Sequence, residues 1–357
     1  MSIDHVQGNG MSSLKIIAVG EILWDLLLTG PQLGGAPANF AYHAHALGAE
    51  AAIITRLGND EYGREIIRRL RNMGLPEGAI QVDESAPTGT VKVELSGEGL
   101  THYTVQQNVA WDYIAATPEA LAYARAADAF CFGSLAQRGA ASRQAIRQLV
   151  AATPPRALRV FDINLRQNFY SREVIEESLE HSNVLKMNDD ELPTLAAMFN
   201  LESPCLADTC GADTSARGSA PCPATKASAP MSPQSQTRNQ IRRLAEIFNL
   251  QLVALTRGAH GSLLYQKRSS ADDENTERWS DCISRPVEVV DTVGAGDSFT
   301  AALVHGLLRG MDLDEINSIA NEVARYVCSQ PGGTPTLPPE FADKFSVPST
   351  GRQERIS

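Results

Sequence analysis

Short apolar runs alternate with amphipathic helical segments along most of this chain of 357 residues. The runs have the length of buried strands, and the helical segments have the apolar spacing of helices that cover a sheet. Repeated β-α units of this kind predict an α/β fold with a doubly wound, mainly parallel sheet covered by helices. The predicted strands are 14–20, 51–57, 128–132, 158–162, 184–187, 252–256 and 261–265, and the predicted helices are 61–72, 140–151, 172–180, 238–248, 300–308 and 313–328. Ligands of such sheets bind beyond the carboxyl ends of the strands.

One large domain is expected over residues 12–345, with flexible tails at 1–11 and 346–357. Residues 90–95 and 100–105 alternate with period two around a Ser-Gly-Glu-Gly turn, which predicts a half-exposed antiparallel hairpin. The charged segment 267–278 is expected to be a solvated hairpin tip.

Residues 203–237 form a low-complexity segment rich in Ala, Ser, Pro and Thr, without an aromatic residue. This composition cannot bury enough apolar surface to offset the entropy of ordering the segment. We therefore expect a disordered insertion there.

Composition excludes several classes of partner. The formal net charge of -11 argues against nucleic acid and anionic membranes. The first 13 residues have neither a basic nor an apolar signal region, and no run of about 18 apolar residues follows. A cytoplasmic protein with a small-molecule ligand is expected.

The segment Gly294-Ala295-Gly296-Asp297 directly precedes a predicted helix. Its small residues leave backbone amides uncovered at a helix amino terminus, where free donors and the positive dipole end favour an anion such as phosphate. The carboxylate of Asp297, beside that anion, could take a proton from an attacking hydroxyl. The same residue could also be a simple helix cap. A P-loop sequence is absent from the chain.

A second motif, with Gly34, Gly35, Pro37 and Asn39, lies near the other end of the chain. The glycine pair allows close backbone approach to a ligand, and the amide of Asn39 suits a sugar hydroxyl. Taken alone, this segment is better explained as a plain Gly-Pro turn that opens an alanine-rich helix. Together, the two motifs resemble the paired signatures of the ribokinase-like (PfkB) carbohydrate kinases, and the resemblance runs from residue 15 to residue 338.

The resemblance implies an ATP-dependent sugar kinase. Asp297 would be the catalytic base, and the amides at Gly294, Ala295 and Gly296 would hold the transferred phosphoryl group. Family resemblance also implies a small β lid formed by residues 26–33 and 88–108, hinged near Asp25 and Trp111 and able to pair two subunits into a homodimer. Mg²⁺ is the implied metal cofactor, with a monovalent cation such as K⁺ beside the anion hole.

Further site residues follow from motifs that come directly after strands. The D-x-N-x-R pattern of residues 162–166 is similar to that of fructokinase-type members. The N-x-x-E motif of residues 188–191 resembles the family's magnesium-binding segment. Asn188 and Glu191 lie three residues apart on one helix face and could hold Mg²⁺ directly or through its waters. The candidate sugar-binding residues are Asp25, Gly34, Gly35, Asn39, Asn164 and Arg166; the candidate nucleotide-binding residues are Lys186, Asn188, Glu191, Thr256, Gly258, Gly261 and Asn321; Asp291 and the carbonyl of Val293 match the monovalent cation site.

The runs 20–25, 34–39 and 109–112 are most similar to bacterial-type fructokinases, so fructose is the expected substrate. Kinases of ribose, 2-keto-3-deoxygluconate and nucleosides share the scaffold, and fold alone does not separate them. A non-catalytic sugar-binding protein on the same scaffold is the alternative from another class, although it would be expected to lose the base or the glycine pair.

Overall fold

The structure is a computed structural model that describes residues 13–27, 30–95, 101–201, 232–270 and 273–346. The strands are β1 Lys15–Val19, β2 Leu23–Leu27, β3 Gly30–Gly34, β4 Glu50–Gly58, β5 Ile80–Asp83, β6 Thr90–Leu95, β7 Thr101–Val105, β8 Ala129–Phe132, β9 Leu158–Asp162, β10 Val184–Asn188, β11 Leu252–Thr256, β12 Ser262–Ser270 and β13 Asp273–Cys282. The α-helices are α1 Ala36–Ala46, α2 Glu61–Asn72, α3 Pro118–Ala126, α4 Ala140–Ala152, α5 Arg172–Glu180, α6 Leu192–Met198, α7 Pro233–Ile247, α8 Ala295–Leu308, α9 Leu313–Cys328 and α10 Pro339–Asp343.

A nine-stranded sheet forms the centre of the molecule, in the order β13-β12-β11-β10-β9-β8-β1-β4-β5. The strands from β5 to β11 run parallel to their neighbours, and β12 and β13 add an antiparallel edge. The predicted doubly wound, mainly parallel α/β fold is therefore confirmed.

Helices cover both faces of this sheet because alternate strand residues point to opposite sides. In β1, Ile17 and Val19 pack in a core with residues of α3 to α7, whereas Ile16 and Ala18 pack in a second core with residues of α1, α2 and α8 to α10. The two cores fix the carboxyl ends of the parallel strands along one edge of the sheet.

A second sheet of four strands, in the order β3-β2-β6-β7, contains the predicted hairpin and the predicted further lid piece. The sheet begins at Leu23, three residues before position 26, where the lid was predicted to begin. Leu23 and Trp24 are buried, and Trp24 Nε1 donates to the carbonyl of Tyr62 (3.2 Å). Asp25 therefore lies in the middle of β2, within the small sheet, and the hinge near Asp25 and Trp111 stays a prediction.

Two other boundaries differ from those predicted. Pro233–Thr237, assigned above to the disordered insertion, form the start of α7: Ser232 Oγ accepts from the amide of Ser235 (3.2 Å), and Pro233 suits the first helical turn. The remainder of the insertion lies outside the described residues. The charged segment 267–278 is mostly paired strand, since β12 and β13 continue through it.

Within the described part of the chain, no helix is long and apolar enough to cross a membrane.

A buried ion pair holds the segment that leaves the second sheet. Arg138 Nε and Nη2 donate to the two carboxylate oxygens of Asp112 at 2.8 and 3.0 Å, and the two side chains are 8% and 9% exposed. The guanidinium also lies 3.9 Å from the centre of the Trp111 ring and donates to the carbonyl of Gln106. This pair joins the end of the small sheet to the loop after β8.

Replacing Arg138 should destabilise the fold strongly, because it leaves the carboxylate of Asp112 buried without its charge partner. We expect the R138M variant to lose about 3–5 kcal/mol of unfolding free energy in urea denaturation. The exposed pair of Arg71 and Glu77 provides a control, and the R71M variant should unfold at nearly the wild-type urea concentration. Similar midpoints for both variants would contradict this interpretation.

Candidate active site

Two helices begin at the edge of the main sheet where the parallel strands end. Helix α1 follows Gly35 and helix α8 follows Gly294, and neither helix has a hydrogen-bonding side-chain cap. Helix α2, by contrast, is capped by Asp60, which accepts from the amide of Gly63. The uncapped termini leave backbone donors available for a ligand.

The start of α8 depends on glycine at position 294. Its φ of +77° is in the left-handed region, and a side chain there would collide with the backbone of Gly333. This geometry places the positive end of the α8 dipole, with Ala295, Gly296 and Asp297 in the first turn, where an anion would be stabilised.

A hydrogen bond joins the two sequence motifs across 258 positions of the chain. Asn39 Nδ2 of α1 donates to Asp297 Oδ2 of α8 at 2.9 Å. The two motifs therefore belong to one site, with the amide of Asn39 fixing the rotamer of the carboxylate.

The environment of Asp297 favours its neutral form more than water does. Burial is the main reason that its pKa rises to about 6, and the nearby carboxylate of Asp162 adds to the effect. Lys186, the hydrogen bond from Asn39, and Arg166 oppose it. A carboxylate with this pKa is mostly ionised at neutral pH yet more basic than a free aspartate, which suits a general base.

Beneath Asp297 lies a buried polar network. Lys186 Nζ donates to Asp162 Oδ1 (3.1 Å). Thr300 Oγ1 lies 3.0 Å from Asp162 Oδ2 and 2.9 Å from the carbonyl oxygen of Gly296, and these two acceptors share its single hydroxyl proton. The network ties the ends of β9 and β10 to the first turn of α8. Among the three side chains of this network, only that of Lys186 belongs to the set of site residues predicted from the sequence.

The sugar-side glycines are required by the protein's own packing. A side chain at Gly34 would collide with the carboxylate of Asp25, and one at Gly35, where φ is +112°, would lie 2.5 Å from the carbonyl oxygen of Glu21. The glycine pair thus lets the ends of β3 and α1 pack directly against the chain that leaves β1.

Two carboxyl groups face this part of the site. Burial raises the pKa of Asp25 to about 6, with Arg166 opposing it, and burial raises that of Glu21 to about 7. Glu21 is 3% exposed, and its Oε2 atom has no hydrogen-bond partner among the described residues. Sequence reasoning had not included Glu21.

Asn164 and Arg166 follow β9, as predicted. Asn164 adopts a left-handed backbone conformation (φ +40°) and lines a small cavity of about 10 Å³ together with Glu21 and Asp162. Arg166 is exposed, and its Nη1 donates to the carbonyl of Leu165 (3.3 Å). Its charge lowers the pKa values of Glu21, Asp25 and Asp297.

Asn188 and Glu191 lock each other at the end of β10. The amide of Glu191 donates to Asn188 Oδ1 (2.9 Å), and Glu191 Oε2 accepts from the amide of Asn188 (2.8 Å). Glu191 Oε1 accepts from the amide of Leu165 (2.8 Å). Each carboxylate oxygen keeps one free lone pair, so the pair fits a magnesium ion held through its waters. No cluster of three metal-binding side chains occurs among the described residues.

The structure places the remaining nucleotide-side candidates at the ends of β11 and β12. Thr256 Oγ1 donates to the carbonyl of Met187 (3.4 Å), and Gly258 adopts a left-handed conformation (φ +53°) with open space around it. Gly261 has a packing role, since a side chain there would collide with the backbone of Cys282. Asn321 Nδ2 donates to Ser262 Oγ (2.6 Å), so this amide already ties α9 to β12.

Asp291 bridges two loops beside α8. Its Oδ1 accepts from the amide of Val293 (3.0 Å), and its Oδ2 accepts from the amide of Gly332 (3.1 Å). The carboxylate therefore orders the loop that leads into the start of α8, where the phosphate site is predicted.

Asp162, Thr300 and Glu21 were missed because each has an ordinary explanation in sequence. Asp162 is the first residue of the D-x-N-x-R pattern, and Thr300 lies one helical turn after Gly296, so helical spacing was the available signal. Asp162 contacts Lys186 of β10 and Thr300 of α8, and spacing along the sequence does not show contacts between separate elements.

Comparison with known proteins identifies the family of this chain. Residues 31–340 match the family described as pfkB family carbohydrate kinase. The chain is 27% identical over 356 residues to a fructokinase of Solanum tuberosum, covering 94% of this chain and 96% of that protein. In structure it is similar to a fructokinase with bound ATP from Xylella fastidiosa, with a TM-score of 0.70, 18% identity and coverage of 93% and 99% of the two chains. A fructokinase from Vibrio cholerae O395, in fructose, ADP and calcium ion bound form, gives a TM-score of 0.66, 19% identity and coverage of 94% and 100%. Since the family match spans most of its length, this chain belongs to the pfkB family of carbohydrate kinases.

Proposed function

We propose that this protein transfers the γ-phosphoryl group of ATP to a hydroxyl of a monosaccharide, and that the monosaccharide is fructose. The observation that carries the proposal is the hydrogen bond between Asn39 and Asp297 at the uncapped start of α8. It brings together the carboxylate of Asp297, the amide of Asn39 and the uncapped first turn of α8, which supports roles for them as base, sugar-binding group and anion-binding site. The ATP-bound and fructose-bound relatives support this assignment.

The proposed reaction is a direct displacement. The carboxylate of Asp297 takes the proton of the sugar hydroxyl, and the hydroxyl oxygen forms a bond to the γ-phosphorus. The bond from that phosphorus to the bridging oxygen breaks, and its electron pair leaves with ADP. The amides at the start of α8 stabilise the charge on the transferring phosphoryl oxygens.

Two bound ions belong to the proposal. Asn188 and Glu191 would hold Mg²⁺ through its waters, and the ion would supply charge neutralisation for the nucleotide phosphates. Asp291 and the carbonyl of Val293 are the proposed holders of a monovalent cation such as K⁺. Thr256, Gly258 and Asn321 are proposed to lie on the nucleotide side.

The charges of the site favour a neutral sugar over a sugar acid. The carboxyl groups of Glu21, Asp25 and Asp297 lie on the sugar side. The exposed guanidinium of Arg166 partly offsets their negative charge. A substrate carboxylate would be repelled, whereas hydroxyl groups can donate to these oxygens.

The cytoplasmic location and the homodimer stay predictions. Strands β3 and β7 are the outer strands of the small sheet, and pairing between two such sheets would cover an exposed edge.

The D297N variant should lose turnover while it keeps the nucleotide. The amide cannot accept the hydroxyl proton, so we expect kcat to fall by about 10²- to 10⁴-fold. Sugar-dependent ADP release measures kcat, and calorimetry should show an ATP dissociation constant close to that of the wild type. Near-normal turnover in D297N would remove Asp297 as the base. A wild-type protein without sugar-dependent ADP release would be the non-catalytic alternative.

Acid should inactivate the enzyme in the pH range set by its buried carboxylates. Asp297 accepts a proton only when ionised, so kcat/KM should fall as the pH drops through about 6, the raised pKa of Asp297. Because Asp25 also titrates near 6, the fall should be steeper than tenfold per pH unit. In the D25N variant the slope should return to about tenfold per unit. A profile that stays flat down to pH 5 would refute the assignment.

Fructose should give the highest kcat/KM in a panel with ribose, 2-keto-3-deoxygluconate and a nucleoside. The D25N variant should lower kcat/KM for fructose by about 10- to 100-fold, because hydrogen bonds from hydroxyls to a carboxylate are lost. Asp190 is exposed at the end of β10, and D190N serves as the matched control with near-wild-type kinetics. Preference for 2-keto-3-deoxygluconate that disappears in R166A would show instead that Arg166 binds a substrate carboxylate.

A further inference from the structure

We propose that Lys186 is a catalytic residue whose ammonium group donates to the transferring phosphoryl group at the start of α8, and that Asp162 and Thr300 are the positioning residues that hold it there. This inference rests on the proposed function, and it separates stabilisation of the transition state from simple nucleotide binding.

The ammonium of Lys186 lies beside the first turn of α8, where the phosphate site is predicted. The side chain is 8% exposed, and Nζ is 3.0 Å from the position that a Cβ atom would occupy on Gly296. The absence of a side chain at Gly296 therefore gives the ammonium direct access to the first turn of α8. A phosphoryl oxygen bound by the α8 amides would come within reach of the same group.

Lys186 has donors to spare. An ammonium carries three N–H donors, and among the described residues its hydrogen-bond partner is Asp162 Oδ1 at 3.1 Å. Two donors are therefore left for a ligand. This differs from an ordinary buried ion pair, in which the remaining donors need partners within the fold.

Asp162 fixes the ammonium relative to α8 through its second oxygen. Thr300 Oγ1 lies 3.0 Å from Asp162 Oδ2 and 2.9 Å from the carbonyl oxygen of Gly296, which share its hydroxyl proton, and both Asp162 and Thr300 are buried. These contacts hold Lys186 in a fixed position relative to the turn of helix α8 that carries Asp297. Such a fixed charge needs no reorganisation when phosphoryl charge develops.

The charge partner of the Lys186 ammonium is the buried carboxylate of Asp162, whose Oδ1 lies 3.1 Å from Nζ. The groups that face Asp297 from the surrounding elements are Asn39 of α1, Glu21 after β1, Asp162 of β9, Arg166 after β9 and Lys186 of β10. Lys186 lowers the pKa of Asp297, and Asp162 raises it.

Kinetics of the K186M variant test the assignment. We expect kcat to fall by about 10²- to 10³-fold, as when one transition-state donor is removed, while KM for ATP changes little. K186R, which keeps the charge, should recover part of the loss. A raised KM for ATP with unchanged kcat in K186M would overturn the proposal and make Lys186 a binding residue only.

The acid limb of kcat/KM supplies a readout that a merely structural residue would not move. In K186M the limb should shift to higher pH, because the cation that favours ionised Asp297 is lost. In D162N it should shift to lower pH, because a neighbouring negative charge is lost. Shifts in the same direction, or none, would contradict the proposed arrangement.

Misfolding is handled by a double variant. K186M alone leaves Asp162 buried without its charge partner, whereas K186M/D162N removes both charges. We expect the double variant to fold like the wild type, as judged by its urea midpoint, and to show a kcat as low as that of K186M. A double variant with wild-type kcat would sink the proposal. If the wild-type protein releases ADP with several sugars, fructose specificity fails but the test of Lys186 still applies. If the wild-type protein releases no ADP, both this inference and the proposed function are overturned.

Discussion

The contact between α1 and α8 is the constraint on which the rest of the site depends. Asn39 and Asp297 come from opposite ends of the chain, and their hydrogen bond exists only if the two helices pack side by side on one face of the sheet. A second link lies alongside, where His43 of α1 bonds the carbonyl of Gly333 (2.9 Å) and Gly333 packs against Gly294. The position of the Asp297 carboxylate is thus set by core packing, and small losses of packing there would displace the proposed base.

Regular elements with strong periodicity were predictable from the sequence. Helix α2, strand β9, helix α5, strand β11 and helix α9 have the predicted bounds because apolar spacing and polar caps agree there. Helix α8 begins five residues earlier than predicted, since its first turn contains the glycine that serves the site. The start of α7 was missed because the Ser-Pro cap was read as part of a low-complexity segment.

The small sheet shows why local patterns were insufficient. The segment Gly30–Gly34 contains two glycines and a proline, and no propensity favours a strand there. It becomes one because it pairs with β2, which in turn pairs in parallel with β6 across more than sixty positions of the chain. Partners this distant are decided by tertiary packing, as are the contacts of Asp162 with Lys186 and Thr300. The signatures located the site, but neither periodicity nor motif spacing could supply its internal hydrogen bonds.

The site also shows how an acidic protein can bind an anion. The net charge is -11, and the predicted phosphate site relies on helix amides and on one buried ammonium. The carboxylates that surround that ammonium keep it protonated despite burial. Under the proposed function, burial and the carboxylate of Asp162 raise the basicity of Asp297, and the carboxyl groups of Glu21, Asp25 and Asp297 repel anionic sugars. Binding of the phosphoryl group, activation of the hydroxyl and selection of a neutral substrate would then follow from one set of paired charges at the edge of the sheet.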